Sequence, residues 1–174
     1  MTATAQIPGY TVGTWDVDPV HSDITFSVRH MGVGKSRGRF ASFSAEVVTG
    51  EDLLQSSVNA TIDVTSIDTG NADRDAHVRS ADFFDAEQFP TGTFRSTGIR
   101  QDGEDYLIDG ELTLKGVTKP VTLTAELGGF SDNLLGVSAS TTVNRTDFGI
   151  GQAGGAVIGE KVTLTLDIEA QLRS

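Results

Sequence analysis

A strict alternation of apolar and polar residues is the feature of this sequence that most constrains its fold. Across residues 162–172 every second residue is apolar, and every residue between them is polar. Successive side chains of a β-strand point to opposite faces, so a period of two predicts a strand that buries one face. The residues predicted to face inward are Val162, Leu164, Leu166, Ile168, Ala170 and Leu172.

The same alternation recurs along the chain and predicts eight or nine strands in all. Turn-forming residues separate the segments, as in "QDGED" and "FSDN", and short connections imply antiparallel neighbours. A sheet of this size with one apolar face must pack on a second sheet or curl into a barrel. The other predicted strands lie within residues 22–31, 43–47, 58–64, 94–99, 108–114, 121–127 and 137–143.

Length, charge and cysteine content exclude several classes of protein. The 174 residues suit one domain, and we find no linker. The formal net charge is −11, with acids spread along the chain, which argues against nucleic-acid partners and anionic membrane surfaces. Because there is no cysteine, disulfides, thiolate catalysis and cysteine-based zinc sites are excluded.

The N-terminal residues "MTATAQIPGYTVG" lack the basic and apolar regions of a secretory signal. No stretch approaches the roughly 20 apolar residues that a membrane-spanning helix needs. We therefore expect a cytoplasmic protein without a membrane span. A periplasmic or secreted location is the alternative if a leader has been trimmed from the sequence.

Several positions predicted to face inward carry very small residues. Packed interiors tolerate few voids, so small residues in an apolar wall favour a cavity for one small ligand. Interdigitation with large neighbours such as Phe26, Phe43 and Phe94 is the alternative. The small residues are Ala45, Ala60, Gly110, Gly116, Ala125, Gly129, Ala139 and Ala170.

The segment "GVGKSRGRF" resembles the end of a phosphate-binding P-loop but does not satisfy that motif. The motif requires a glycine where this chain has Arg29, and a helix where the pattern predicts a strand. What remains is a basic cluster of Lys35, Arg37 and Arg39. It could meet a phosphate head group, or it could be the solvated tip of a hairpin.

The three histidines do not have the spacing of a metal site, so we predict no metal and no cofactor. His21 and His30 have odd separation, which places them on opposite faces of a regular strand. In "DPVHSD" adjacent residues rarely give the geometry of a catalytic triad, so a turn that begins the next strand is the simpler interpretation. His30 is predicted to be an interior histidine.

In "NADRDAHVRSADFF" the alternation stops. Asn71 or Asp73 can cap a helix, and the spacing predicts a short helical insertion near residues 73–82. A helix this short must dock on the rest of the domain, and Phe83 and Phe84 are its predicted anchors. A net of ion pairs and hydrogen bonds is predicted to hold the segment in place; a catalytic role is the alternative. The residues of this charged net are Arg74, Asp75, His77, Arg79 and Asp82.

These segments, in this order, resemble the YceI-like family. The resemblance rests on "WDVDPVHSDITFSVRHM", "SIDTGNADRDAHVRSADFFDAEQFPTGTFRS", "IDGELTLKGVTKPVTL" and "NRTDFG". It implies an all-β fold, a single antiparallel lipocalin-like β-barrel of about eight strands, and a polyisoprenoid or other long amphiphilic lipid held in the barrel. We expect residues 1–12 to be a flexible N-terminal segment and residues 13–174 to form this lipid-binding domain.

We therefore predict a binding protein and not an enzyme, with no catalytic residues. It would carry, store or sense a long-chain isoprenoid or fatty lipid, and the resemblance also favours a bacterial source and a homodimer. The alternatives are an enzyme that uses His30 on an isoprenoid or acyl substrate, and a ligand-free structural or stress-related protein. The predicted ligand-binding residues are Ile24, Phe26, Val28, His30, Phe43, Val58, Ala60, Ile62, Phe83, Phe84, Phe94, Ile108, Leu112, Val137, Ala139 and Val143.

Overall fold

One antiparallel sheet dominates the structure. The computed structural model describes residues 7–30, 33–151 and 158–173, apart from the side chain of His30. Within these ranges eleven strand segments are present. They are, in chain order, β1 (Gly13–Val17), β2 (Asp23–His30), β3 (Gly34–Phe40), β4 (Phe43–Thr49), β5 (Ser57–Asp63), β6 (Ile67–Asp68), β7 (Thr91–Asp102), β8 (Asp105–Leu114), β9 (Val117–Ser131), β10 (Leu134–Asn144) and β11 (Ile158–Leu172).

Eight strand positions close this sheet into a barrel. Three positions are each shared by two short segments: β1 with β2, β3 with β4, and β5 with β6. Strand β11, for example, pairs with β1 through residues 170–172 and with β2 through residues 158–167. The ring is closed because β1 pairs with β4 on one side and with β11 on the other. The predicted barrel of about eight antiparallel strands is confirmed.

The break between β1 and β2 is the turn that "DPVHSD" predicts. Asp18 Oδ1 accepts the Val20 N–H at 2.9 Å, as expected of an aspartate that starts a turn. The buried Ser22 hydroxyl donates to the Glu169 carbonyl at 3.2 Å and accepts the Glu169 N–H at 3.0 Å. These side chains replace the ladder bonds that the interrupted strand lacks, so β11 keeps a partner along its length.

Strand β8 shows how the alternation builds the interior. Every second side chain is buried, from Tyr106 through Ile108 to Leu112 and Leu114. The polar residues between them face outward, where Asp109 pairs with a neighbouring arginine at 2.7 Å. A period of two therefore gives this strand one face toward solvent and one face toward the barrel interior.

Aromatic residues close one end of the barrel, which we call the sealed end and define by Tyr10, Trp15, Thr49, Phe130 and Leu135. Trp15 is only 1% exposed, and its indole N–H donates to Thr49 Oγ1 at 2.9 Å. The Phe130 ring meets the Trp15 and Tyr10 rings edge-on, with centroids 5.4 and 5.1 Å apart. Tyr10 belongs to the N-terminal segment, so part of that segment packs on the barrel.

The opposite end carries the helical insertion, α1 (Ala72–Arg79). Asn71 is its N-cap, and the Asn71 side chain accepts the Arg74 N–H at 2.9 Å. The helix ends at Arg79, three residues before the predicted boundary at residue 82. The reason is local, because the Ser80 N–H and hydroxyl both donate to the His77 carbonyl and the chain then turns. In the described ranges, no helix is long and apolar enough to span a bilayer.

Candidate ligand-binding cavity

Two adjoining apolar chambers occupy the barrel interior. The inner chamber, of about 150 Å³, lies toward the sealed end. The outer chamber, of about 540 Å³, lies toward α1. Ile62, Leu112 and Leu164 line both chambers, and we call these three residues the waist. The two chambers therefore adjoin along these residues, and their apolar lining extends between two ends of different character.

The inner chamber offers only apolar walls and a few hydroxyls. No charged side chain is among the described residues that line it. Two of its hydroxyls already have partners: Thr49 donates to the Thr11 carbonyl at 2.7 Å, and Ser56 accepts the Gly50 N–H at 3.0 Å. A charged group placed here would lose its water without finding an opposite charge, so this chamber suits hydrocarbon.

The small inward residues have two different roles. Four alanines line the inner chamber and give it room, as the cavity interpretation predicts. Gly110 instead lies under the Phe94 ring, since a Cβ there would come within 2.4 Å of Phe94 Cζ. Ala170 is fully buried at the sealed end, and neither Gly116 nor Gly129 lines either chamber. The four alanines are Ala45, Ala60, Ala125 and Ala139.

Phenylalanines and the helical insertion wall the outer chamber. Phe83 and Phe148 are buried, while Phe84 is half-buried and meets the Phe40 ring edge-on at 6.2 Å. Val78 of α1 also faces this space. The predicted anchors of the insertion therefore lie against the barrel and form part of the chamber wall.

Arg145 is a buried cation in the same wall, with only 6% of its surface exposed. Its Nε donates to the Gly159 carbonyl at 2.9 Å and its Nη2 to the Ile158 carbonyl at 2.9 Å. Its Nη1 donates to the carbonyls of Ile150, at 3.0 Å, and Gly151. Four carbonyl dipoles thus offset the charge, and the guanidinium ties the start of β11 to the segment after β10.

Polar side chains surround the outer chamber where it meets solvent, and we call this region the mouth. Along its rim β3 pairs with β6 only at Arg39 and Phe40. The residues of the mouth are Ser36, Arg37, Thr69, Arg74, His77 and Asp82.

Thr69 organises the α1 side of the mouth. Arg74 Nε donates to Thr69 Oγ1 at 2.9 Å, and Arg74 Nη2 donates to the Thr69 carbonyl at 2.6 Å. The Thr69 hydroxyl and N–H both donate to Asp75, and these bonds lower the pKa of the Asp75 carboxyl. His77 Nε2 lies 3.0 Å from Asp82 Oδ2. Four residues of the predicted charged net, Arg74, Asp75, His77 and Asp82, thus make polar contacts, and Thr69 links the first two.

Most of the predicted ligand-binding residues line the two chambers. Phe43 is the exception: it packs in the core, against the clusters of Trp15 and Ile24. It has the predicted inward orientation, like Ala45 and Val47 of the same strand, which do line the inner chamber. The His30 side chain lies outside the described residues. The inner chamber receives Ile24, Val58, Ala60, Phe94, Ile108, Val137 and Ala139; the outer receives Phe26, Val28, Phe83, Phe84 and Val143; Ile62 and Leu112 line both.

Several lining residues were absent from the prediction. Leu164 and Val162 lie on a strand whose inward face was predicted, so the alternation could have identified them. Phe148 ends a short helical turn after β10 and Ile150 lies just beyond it, where no periodic pattern marks either residue. Arg145 gave no signal beyond its place in "NRTDFG", because an arginine is ordinarily exposed.

One acid–histidine group lies at the surface, away from the chambers. Asp18, His21 and Glu169 have ligand atoms within 4.8 Å of one another, and no other such group is found among the described residues. His21 Nδ1 lies 2.7 Å from Asp18 Oδ2 and 3.5 Å from Glu169 Oε2. The bond to Asp18 raises the pKa of His21 and lowers that of Asp18. These contacts form an ion pair within the turn described above.

Comparison with known proteins decides the family. The model of the YceI-like domain matches residues 15–170, nearly the whole chain. Protein YceI of Escherichia coli O17:K52:H18 is 38% identical over 160 residues, which span 88% of this chain and 83% of that protein. The chain belongs to the YceI-like family.

Solved structures agree with this YceI-like assignment. Burkholderia cenocepacia BcnA superposes with a TM-score of 0.83 at 28% identity, covering 89% of this chain and 99% of BcnA. The Campylobacter jejuni YceI protein gives 0.76 at 26% identity, covering 84% and 90%. A polyisoprenoid binding domain from Saccharophagus degradans, implicated in plant cell wall breakdown, gives 0.72 at 18% identity, covering 94% and 100%. At 18% identity the last of these shows the shared fold alone.

Proposed function

We propose that this YceI-like protein binds one long-chain apolar or amphiphilic lipid, a polyisoprenoid or a similar molecule, inside the barrel. The observation that carries the proposal is the pair of adjoining chambers with apolar walls, sealed at one end and polar at the other. This arrangement matches an amphiphile in shape and polarity. Carriage, storage or sensing of the lipid are the uses that such binding would serve.

The difference in polarity between the inner chamber and the mouth sets the orientation of the bound lipid. The inner chamber has no charged wall residue in the described structure, whereas the mouth carries Arg37, Arg74, His77 and Asp82. The hydrocarbon tail therefore points toward the sealed end, and the polar group stays at the mouth, where water and hydrogen-bonding partners are available.

Burial of the tail supplies the affinity. Each methylene removed from water contributes about 0.8 kcal/mol, so ten methylenes contribute roughly 8 kcal/mol before costs. Lost translation and ordering of the chain remove a good part of this gain, which leaves binding in the micromolar range or tighter. The name of the Saccharophagus degradans domain supports an isoprenoid as the first ligand class to test.

We propose that the protein binds the lipid without altering it chemically. The His77–Asp82 pair is the acid–base pair nearest the chambers in the described residues, but both side chains are more than half exposed at the mouth. The neighbouring Ser80 hydroxyl donates to the His77 carbonyl, where it serves the end of α1. A lipid recovered unaltered after incubation supports a binding protein; a hydrolysed or oxidised lipid would favour the enzyme alternative.

The test is displacement of a fluorescent polyene fatty acid by geranylgeraniol. Ile62→Trp fills the waist, so we expect it to weaken binding of both compounds by at least about tenfold, the loss of roughly two buried methylenes. Thr61→Trp is the matched control, because Thr61 precedes Ile62 on β5 but is exposed. Equal affinities in the two variants would contradict binding inside the barrel.

A cytoplasmic location and a homodimer stay predictions.

A further inference from the structure

The outer surface of β2, β3 and the start of β11 is basic in an otherwise acidic protein. The net charge of −11 argues against an anionic membrane as a partner of the protein as a whole, but this surface carries the opposite charge. The chain has 13 lysines and arginines against 24 acids. Five of those cations are exposed on this one surface, which we call the basic face. They are Arg29, Lys35, Arg37, Arg39 and Lys161.

The cations of the basic face are largely unneutralised. Arg39 has a carboxylate partner, Asp68, at 3.7 Å. In the part of the chain that the structure describes, no carboxylate lies within ion-pair distance of the other four. The contrast with β7 and β8 is plain, since Arg95 there pairs with Glu111 at 2.6 Å.

Strand register places like charges together on the basic face. Arg29 lies directly opposite Lys35 in the antiparallel pair of β2 and β3, and Arg37 is two residues further along the same face. Like charges directly opposite one another destabilise a sheet. An anionic partner would remove this repulsion, whereas the free protein has to tolerate it.

A shallow groove on the basic face has the chemistry of a phosphate-binding surface. Arg29, Lys35 and Lys161 line it together with the hydroxyl residues Thr142 and Thr163. Glu160 is its one carboxylate among the described residues. Cations and hydroxyl donors around an open groove suit the phosphate groups of lipid heads, to which charge-assisted hydrogen bonds are strong.

Val33 adds an apolar contact at the edge of the basic face. It is 88% exposed, more than any other large hydrophobic residue that the structure describes, and it directly precedes β3. Val20 is also exposed, at 82%, but it stands between Asp18 and His21 in an acid-rich turn. Exposed apolar residues among cations are typical of surfaces that lie in a lipid–water interface.

The strands of the basic face also border the mouth. Val28 of β2 and Ser36 and Arg37 of β3 line the outer chamber. We propose that the basic face docks the protein on an anionic lipid surface, with Val33 among the head groups and the mouth turned toward the bilayer. This docking goes beyond lipid binding in the barrel and does not require the chambers to hold a ligand.

The test is co-sedimentation with vesicles of two compositions, phosphatidylcholine alone and phosphatidylcholine mixed with phosphatidylglycerol of the same acyl chains. We expect the protein to sediment with the anionic vesicles at low salt and to be released as salt is raised, because salt screens exposed charges. Ile62→Trp, which fills the waist, should sediment like the unmodified protein, so uptake of a lipid into the barrel cannot account for the difference between the two vesicles. Equal sedimentation with both compositions, or binding that salt does not weaken, would overturn the proposal even if displacement of free ligands succeeds.

Matched variants assign the effect to this surface. Each basic residue near an anionic bilayer strengthens binding about fivefold, so R29Q/K35Q, which leaves the mouth unchanged, should lower the partition coefficient roughly 25-fold. The control R95Q/K119Q removes the same charge from the surface of β7 and β9 and should change it less than about twofold. An equal loss in the control would show that net charge alone is responsible and would refute docking through the basic face.

Val33→Asp tests the apolar contact with the bilayer, and Val20→Asp is its control. Both place one acid at an exposed valine, so neither should affect folding, which circular dichroism verifies. We expect Val33→Asp to weaken sedimentation with anionic vesicles and Val20→Asp to leave it unchanged. The reverse order would place the docking surface at the turn between β1 and β2 and contradict the proposal.

Discussion

The two ends of the barrel are built by different means. At the sealed end Trp15, Phe130 and Tyr10 pack edge-on, and Thr49 satisfies the indole N–H. At the opposite end, in the wall of the outer chamber, the structure depends on hydrogen bonds to the backbone, above all those of Arg145. Apolar packing closes one end, while polar contacts hold the other in shape without filling it.

This difference assigns a separate role to each end under the proposed function. The sealed end sets how far a hydrocarbon tail can reach, because Phe130, which packs on Trp15 and Tyr10, lines the inner chamber there. The mouth sets what can enter and which polar group is tolerated. Changes at the sealed end should therefore alter the longest lipid chain that the protein accepts. Changes at the other end should alter the stability of the structure around the entrance. The predictions below test that separation.

The largest effect is expected from Arg145→Met. Four carbonyls lose their donors, and at about 1 kcal/mol for each bond the free energy of unfolding should fall by about 4 kcal/mol. Arg145→Lys should not rescue it, since an ammonium cannot reproduce the guanidinium fork. Urea unfolding measures the free energy of unfolding of both Arg145 variants. The control Arg95→Gln removes an exposed pair worth less than about 1 kcal/mol, and a similar loss there would contradict the role of Arg145.

Phe130→Ala should have the next largest effect, at the sealed end. Removal of a buried phenylalanine costs about 3 kcal/mol of stability and leaves a cavity. Since Phe130 lines the inner chamber, the space it vacates should also raise the longest chain that the protein accepts. Urea unfolding and a displacement series of increasing chain length test the two parts. An unchanged length limit would show that Phe130 is not the floor of the chamber.

Ala139→Phe should act on ligand length with less effect on the fold. The new ring occupies the inner chamber, so long-chain ligands lose roughly two buried methylenes and bind about tenfold more weakly. Ala60→Phe should behave alike, whereas short chains that stop in the outer chamber should keep their affinity. The same displacement series measures this selectivity. Ser138→Phe, at the exposed neighbouring position on β10, is the control and should change neither class of ligand.

The smallest effect concerns pH and lies away from both ends, in the turn between β1 and β2. The bond to Asp18 raises the pKa of His21, so the His21 contribution to stability is present below about 6.5 and is lost as pH rises through its folded pKa. Asp18 has a lowered pKa, so its contribution is present above about 3.9 and is lost as pH falls through its folded value.

Titration of the His21 ring by NMR measures this shift directly. The midpoint should lie above about 6.5 and should fall toward that value in Asp18→Asn. If Asp18→Asn leaves the midpoint unchanged, then Glu169, the more distant carboxylate, and not Asp18 raises the pKa of His21. Ligand affinity should not follow this titration, because the turn lies outside both chambers.

Alternation predicted the barrel and most of the chamber lining because each is a consequence of one-sided burial. It could not separate Ala60, which opens space, from Gly110, which the Phe94 ring fills, since that depends on side chains of neighbouring strands. Nor could it foresee Arg145, whose partners are backbone carbonyls that leave no trace in residue type. The basic cluster was visible in the sequence, but its place beside the mouth required the closed ring.

Native mass spectrometry of the purified protein, followed by organic extraction, tests the central claim most directly. The account predicts one long-chain lipid per chain, retained in Thr61→Trp and lost in Ile62→Trp. A protein that is empty in every form and takes up no added isoprenoid or fatty acid would contradict it. So would a lipid that remains bound when the waist is filled.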